Sequence, residues 1–212
     1  MDFKGDQRQL RQTLEREGIQ DARVLDAIQA IRRDRFVPED QLPFAYNNSA
    51  LPIGMGQTIS QPYIVALMTE ALSLTPKSQV LEIGTGCGYQ TAVIGELADR
   101  VVTIERIAEL STEAEARLTS LGYDRVDFLI GDGTQGWPEF APYDAIIATA
   151  AGPKMPRSLY DQLKPNAKLV IPVGDRSIQS LQCIERTAEG PRTTELCGCR
   201  FVKLIGAEGW VS

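Results

Sequence analysis

The sequence contains no histidine among its 212 residues. This absence excludes Ser-His-Asp and Cys-His nucleophilic catalysis, imidazole general bases and histidine-ligated zinc or iron. We expect no metal site, so any chemistry must rely on carboxylates, hydroxyls, backbone groups and an organic cofactor.

Cysteines and long apolar runs are also scarce. The four cysteines form no CxxC pair, and the chain opens with a charged stretch instead of a signal peptide. Cys197 and Cys199 alternate as in a strand, where packing is favoured over a metal or redox site. No apolar run approaches the roughly 20 residues of a membrane span. We therefore expect a soluble, cytoplasmic protein.

An excess of positive charge is missing as well. The formal net charge is −6, whereas nucleic-acid-binding proteins usually gather Lys and Arg on one face. A nucleic-acid partner is therefore disfavoured. The length fits one domain, residues 1–212, and we expect a monomer.

The apolar pattern divides this domain into three parts. Residues 1–62 should form a helical flank, with Asp21 as an N-cap, followed by a long irregular segment from 38 that we interpret as an active-site loop. Residues 63–180 alternate helices and strands as a cofactor-binding core. Residues 181–212 should add C-terminal strands.

The alternation predicts an α/β fold with a doubly wound, mostly parallel, Rossmann-like sheet. Two antiparallel strands, 181–185 and 199–205, should extend its edge. The predicted core strands are 79–83, 101–104, 126–130, 143–148 and 168–173, and the predicted helices are 63–72, 89–98, 108–121 and 156–163.

Three strand ends carry residues suited to a nucleoside. Gly84, Gly86 and Gly88 follow the first strand with GxGxG spacing, which differs from the dinucleotide GxGxxG. Glu105 ends the second strand, where it can accept hydrogen bonds from ribose hydroxyls. Asp132, after the third, could reach an adenine amino group. Each feature alone is more simply a turn or a solvated acid, but together they favour one pocket.

These motifs resemble those of class I S-adenosylmethionine-dependent methyltransferases. The resemblance rests on LEIGTGCGYQTA over residues 81–92, on Glu105, and on the GDG and PYDAII runs. The segment LPIGMGQTISQPY over residues 51–63 narrows it to the protein-L-isoaspartate O-methyltransferase family, which the chain resembles over about residues 20–206.

The resemblance implies a substrate, a cofactor and site residues. The expected activity is methylation of L-isoaspartyl carboxylates in damaged proteins and peptides by S-adenosyl-L-methionine, with S-adenosyl-L-homocysteine as product. Ser60 would be the active-site residue, with Thr58 beside it, and Ile59, Gln61 and Lys203 would meet the substrate. The residues expected at the cofactor are Glu82, Gly84, Thr85, Gly86, Gly88, Glu105, Asp132 and Gly133.

Carboxyl methylation suits a chain without histidine. A carboxylate, with an ordinary pKa of about 4, is already deprotonated at pH 7 and needs no general base. Thr58 and Ser60 could instead cap the helix that begins near Pro62. Other open alternatives are a small-molecule or RNA methyltransferase, a nicotinamide-dependent oxidoreductase and an inactive binding module.

Two residues depart from the family pattern. Cys87 stands where the family often has serine, a small change at a turn formed by the backbone. Lys203 stands where the family often has proline after Phe-Val, in a region that helps to shape the substrate pocket. The peptide preference could therefore differ.

Overall fold

The computed structural model describes residues 3–211, which begin with a helical flank. Helix α1 spans Phe3–Arg16 and α2 spans Ala22–Ala30. Asp21 caps α2, as predicted, because its carboxylate accepts a hydrogen bond from the Arg23 backbone N–H at 2.9 Å. The two helices pack together through buried leucines, isoleucines and valines.

The segment from residue 38 to 62 is more ordered than predicted. It contains a 3-10 helix, Glu39–Phe44, and an antiparallel hairpin of β1, Leu51–Gly54, and β2, Gln57–Ile59. Gly54, Met55 and Gly56 all have positive φ at its tip. The glycines make this sharp reversal possible, so the prediction of an irregular loop was wrong for this stretch.

A seven-stranded sheet forms the core. The elements after the hairpin are α3 Pro62–Leu72, β3 Gln79–Ile83, α4 Tyr89–Gly95, β4 Arg100–Glu105, α5 Ala108–Ser120, β5 Val126–Ile130, β6 Tyr143–Ala148, α6 Arg157–Asp161, β7 Leu163–Gly174, β8 Gln179–Thr187 and β9 Gly190–Cys199. The strand order in the sheet is β5-β4-β3-β6-β7-β8-β9. The first five strands pair in parallel, and the last two are added by antiparallel pairing, which confirms the predicted fold class.

The prediction of a last strand over residues 199–205 was wrong, because the last strand of the sheet ends at Cys199. The structure instead forms β9 from residues that are largely exposed and polar, paired along β8 at the sheet edge. An exposed edge strand of this kind needs no run of apolar residues, so the sequence pattern does not indicate it. Residues 200–205 are more apolar because they cover the end of the sheet, and Lys203 forms an isolated bridge to Ala151 there.

The central strands are buried on both faces, which explains their continuous apolar runs. Cys197 and Cys199 pack against the core, as predicted, and Cys183 and Trp137 pack against it as well. Residues 3–211 contain no group of three or more Cys, Asp or Glu side chains placed to hold a metal ion. Within the same range, every helix is too short or too polar to cross a bilayer.

Two features of the structure require a glycine at position 88, the N-cap residue of α4. Its φ is +87°, and a Cβ there would lie 2.9 Å from Leu118 Cδ1. Gly88→Ala should lower the free energy of unfolding by at least about 2 kcal/mol in urea denaturation, since left-handed backbone and overpacking each cost about 1–2 kcal/mol. Gly131→Ala is the control, because Gly131 has open space and no positive φ. Equal losses in both variants would contradict this explanation.

Candidate functional site

A cavity of about 320 Å³ opens at the carboxyl ends of β3, β4 and β6, where ligands bind in doubly wound sheets. Three walls surround it: the glycine-rich turn after β3, the hairpin strand β2 with residues 56–60, and the segment 202–205. The expected site residues among its lining are Thr58, Ile59, Ser60, Gly84, Thr85, Gly86, Glu105, Gly133 and Lys203.

The glycine turn is fixed to the neighbouring strand. Gly84 has φ +95°, and a Cβ there would lie 2.4 Å from Thr149 Oγ1. This hydroxyl donates to the carbonyl oxygens of Ile83 and Gly84, at 3.0 and 2.7 Å. A side chain at Gly84 would therefore displace the contact that joins the turn to the end of β6.

The Glu105 carboxylate joins two loops at the cavity. It accepts backbone N–H bonds from Gly86 at 3.0 Å, Arg106 at 2.9 Å and Ile107 at 3.0 Å. It is almost fully buried, yet it lines the cavity. Glu105 is therefore held in a fixed orientation at the cavity, where the sequence predicts that its carboxylate accepts hydrogen bonds from ribose hydroxyls.

Glu82 lies beneath the turn and does not line the cavity. It is fully buried, and its Oε2 accepts hydrogen bonds from Thr91 Oγ1 at 2.5 Å and Thr103 Oγ1 at 2.7 Å. The pKa of Glu82 is raised to about 7, mainly by burial; the two threonine hydrogen bonds oppose this rise, and the nearby charge of Glu105 contributes to it. Glu82 thus supports the cavity floor from below.

Two other expected cofactor residues also lie outside the lining. Gly88 is the N-cap residue of α4. The Asp132 carboxylate accepts hydrogen bonds from the Thr134 backbone N–H at 2.9 Å and the Ala207 backbone N–H at 2.7 Å. The structure therefore directs Asp132 toward the C-terminal segment.

The hydroxyls of Thr58 and Ser60 do not cap α3. Its N-cap position is Gln61, which makes no side-chain cap bond. Asn48 Oδ1 accepts the Tyr63 backbone N–H at 2.9 Å instead. Thr58 and Ser60 line the cavity, which leaves their hydroxyls available to a ligand.

A smaller groove of about 150 Å³ adjoins the cavity. The residues common to both are Thr58, Ser60, Thr149 and Val202. The groove continues along Gln61 and Ile64 on one side and residues 198–202 on the other. The expected residue Gln61 therefore lines this groove and not the cavity.

Sequence reasoning missed Thr149 and Arg33. Thr149 could have been found as a polar residue directly after a buried strand. Arg33 left no signal, because arginines are rarely buried. It is fully buried, its guanidinium lies 4.9 Å from the centre of the Tyr89 ring, and its Nε donates to the Ala45 carbonyl at 2.8 Å.

A known protein family matches almost the whole chain. The family model for protein-L-isoaspartate(D-aspartate) O-methyltransferase matches residues 5–209. The chain belongs to this family.

Relatives of this methyltransferase family align along nearly their full length. A protein-L-isoaspartate O-methyltransferase of Dictyoglomus thermophilum is 53% identical over 209 residues, covering 99% of this chain and 95% of the relative. One from a Roseiflexus species is 48% identical over 212 residues, covering 100% and 97%. The similarity to these relatives therefore covers almost all of both sequences.

Two solved structures have a fold similar to that of this chain. A protein-L-isoaspartate O-methyltransferase matches with a TM-score of 0.87 at 28% identity, covering 96% of this chain and 67% of that one. A candidate member from Plasmodium falciparum, in complex with S-adenosyl-L-homocysteine, matches with a TM-score of 0.81 at 26% identity, covering 93% and 97%.

The raised pKa of the buried Glu82 side chain predicts how the stability of this protein depends on pH. Its folded-state pKa of about 7 exceeds the ordinary value of 4.5, so the folded protein binds this proton more tightly than the unfolded chain. The resulting stabilisation is complete below pH 4.5 and is lost as the pH rises through 7. Because each unit of pKa difference corresponds to about 1.36 kcal/mol, Glu82 contributes at most about 3 kcal/mol to the free energy of unfolding in this way.

Glu82→Gln keeps the shape of the side chain and removes this titration. The free energy of unfolding of the wild type, minus that of the variant, should fall between about pH 4.5 and 7 and then level off, as measured by urea denaturation at each pH. Parallel pH curves for the two proteins would show that Glu82 does not titrate in this range.

Proposed function

We propose that this protein transfers a methyl group from S-adenosyl-L-methionine to the free carboxylate of L-isoaspartyl residues in damaged proteins and peptides, which begins their repair. The observation that carries the proposal is the junction of the cavity and the groove at Thr58 and Ser60. A donor in one and a peptide in the other would meet beside two hydroxyls.

The residues around the cavity fit this cofactor. Gly84 and Gly86 keep the turn free of side chains, Thr85 and Gly133 line the cavity, and Glu105 offers a carboxylate to ribose hydroxyls. S-adenosyl-L-methionine, when bound, supplies an electrophilic methyl group on a sulfonium. Its product is S-adenosyl-L-homocysteine.

Three further residues act on the cofactor site indirectly in this proposal. Glu82 fixes the turn from beneath through Thr91 and Thr103. Gly88 lets α4 start close to α5, because a Cβ there would meet Leu118. Asp132 holds the C-terminal segment that contributes residues 202–205 to the cavity.

The substrate carboxylate needs orientation and dehydration more than activation. In the proposed complex the Ser60 hydroxyl donates to one carboxylate oxygen and leaves the other free to attack. Thr58 provides a second hydroxyl, while Ile59 is buried and helps to exclude water. Gln61 and Lys203 border the peptide. A charge-assisted hydrogen bond and partial desolvation then align a nucleophile that is already ionised.

We further propose that the protein works as a cytoplasmic monomer without a nucleic-acid partner. The net charge of −6 and the free thiols of Cys87, Cys183, Cys197 and Cys199 support this proposal. The division into flank with active-site segment, core and C-terminal strands is proposed as the working organisation of one domain.

Paired peptides that differ only in an aspartyl or isoaspartyl residue test the proposed function. The isoaspartyl peptide should be methylated with a kcat/KM about 100-fold higher, because a misplacement of about 1 Å costs that much in alignment. Base-labile methyl ester, measured as released methanol, is the readout. Equal rates on both peptides, or ester formation on neither, would refute the proposal.

Ser60→Ala tests the orienting hydroxyl. The kcat should fall by about 10- to 100-fold, because a hydrogen bond to a charged group contributes about 1.5–3 kcal/mol. The Kd for S-adenosyl-L-homocysteine, measured by calorimetry, should stay within about two-fold if the hydroxyl acts on the substrate. Ser120→Ala, at the exposed end of α5, is the matched control. An unchanged kcat in Ser60→Ala would remove Ser60 from this role.

A further inference from the structure

The segment after β9 places two cations beside the junction of cavity and groove. Arg200 is the charged residue of the groove lining, and Lys203 lines the adjoining cavity. Both lie in the extended segment after β9, on either side of Val202, which borders both spaces. The acid nearest to them in the cavity lining, Glu105, is held by three backbone N–H bonds.

Arg200 and Lys203 are also unpaired. Both side chains are exposed, and neither forms an ion pair or a hydrogen bond with another residue of the range 3–211. Seven other arginines in this range form an ion pair with Asp or Glu, whereas the rest, including Arg106 of the cavity lining, form none. An unpaired cation therefore lines the groove and another lines the adjoining cavity, in a chain with net charge −6.

We infer that the groove selects isoaspartyl peptides that carry acidic side chains near the damaged residue. This inference rests on the proposed function and names the substrate class that the same site prefers. Arg200 faces a peptide in the groove, and Lys203 stands beside the carboxylate to be methylated. Neither cation has to break an internal ion pair to contact an acidic neighbour, so the approach of such a peptide costs no existing contact.

The backbone on both sides of Lys203 is held independently of the lysine side chain. Leu204 donates its backbone N–H to Ala151, and Ala151 donates to Val202, both at 2.8 Å. These bonds fix the backbone of the segment without using the side chain of Lys203. The ammonium group can therefore follow a flanking acid while the wall beside Ser60 stays in place.

Isoaspartyl peptides with Glu, Gln or Lys two residues to either side of the isoaspartyl position test the inference. We expect the kcat/KM of the Glu peptide to exceed that of the Lys peptide by about ten-fold at low salt. Exposed ion pairs change affinity by about two- to five-fold each, and salt screens them. The ratio should therefore decline toward one as sodium chloride is raised.

Removal of the two charges should abolish the preference. Arg200→Gln and Lys203→Gln should each reduce the ratio by about two- to five-fold, and the double variant should bring it close to one. Lys77→Gln makes the same change of charge before β3, at the opposite end of that strand, and should retain the full ratio. The Kd of each variant for S-adenosyl-L-homocysteine reports whether the cavity is intact.

The outcomes separate this inference from the proposed function. A wild-type ratio near one, or a ratio that survives in the double variant, would overturn the charge preference while isoaspartyl methylation stands. A protein that binds S-adenosyl-L-homocysteine but methylates none of the peptides would overturn the proposed function and the preference together.

Discussion

The contact between the Glu105 carboxylate and three backbone N–H groups determines the shape of the site. It joins the glycine turn after β3 to the loop after β4, two strands already paired in parallel register from Gln79 and Arg100 onward. Gly84 adds a backbone bond to Ile104 at 2.8 Å. Because both loops are fixed by the protein's own contacts, a ligand would lose little affinity to ordering them.

The N-terminal flank gives the active-site hairpin a similar support. The buried Arg33 donates to the carbonyls of Ala45 and Ser49 and stacks on Tyr89, a residue of the cavity lining. Asn48, in the same stretch, caps the helix that follows the hairpin. The hairpin with Thr58 and Ser60 is therefore anchored at both ends. The proposed methyl transfer to a carboxylate that is already ionised depends on alignment, which such rigidity provides.

Sequence reasoning succeeded where burial leaves a strong pattern. The bounds of β3, β5 and β6 agree with those predicted, because strands with continuous apolar runs stand out between turn residues. It failed at β9, whose exposed edge position requires no apolar residues. The directions of Asp132 and Asn48 were also out of reach, because their partners Ala207 and Tyr63 lie 75 and 15 residues away. Local pattern contains no information about such contacts.

The C-terminal segment is held by the loop that follows β5. Asp132 accepts the Ala207 backbone N–H, and a Cβ on Gly206 would lie 2.0 Å from its Oδ1. The loop that provides Gly133 to the cavity thus directly holds the segment that carries Arg200 and Lys203. The acid of the GDG motif therefore supports two parts of the cavity wall at once, one through its neighbour Gly133 and the other through the segment 202–205 that it anchors.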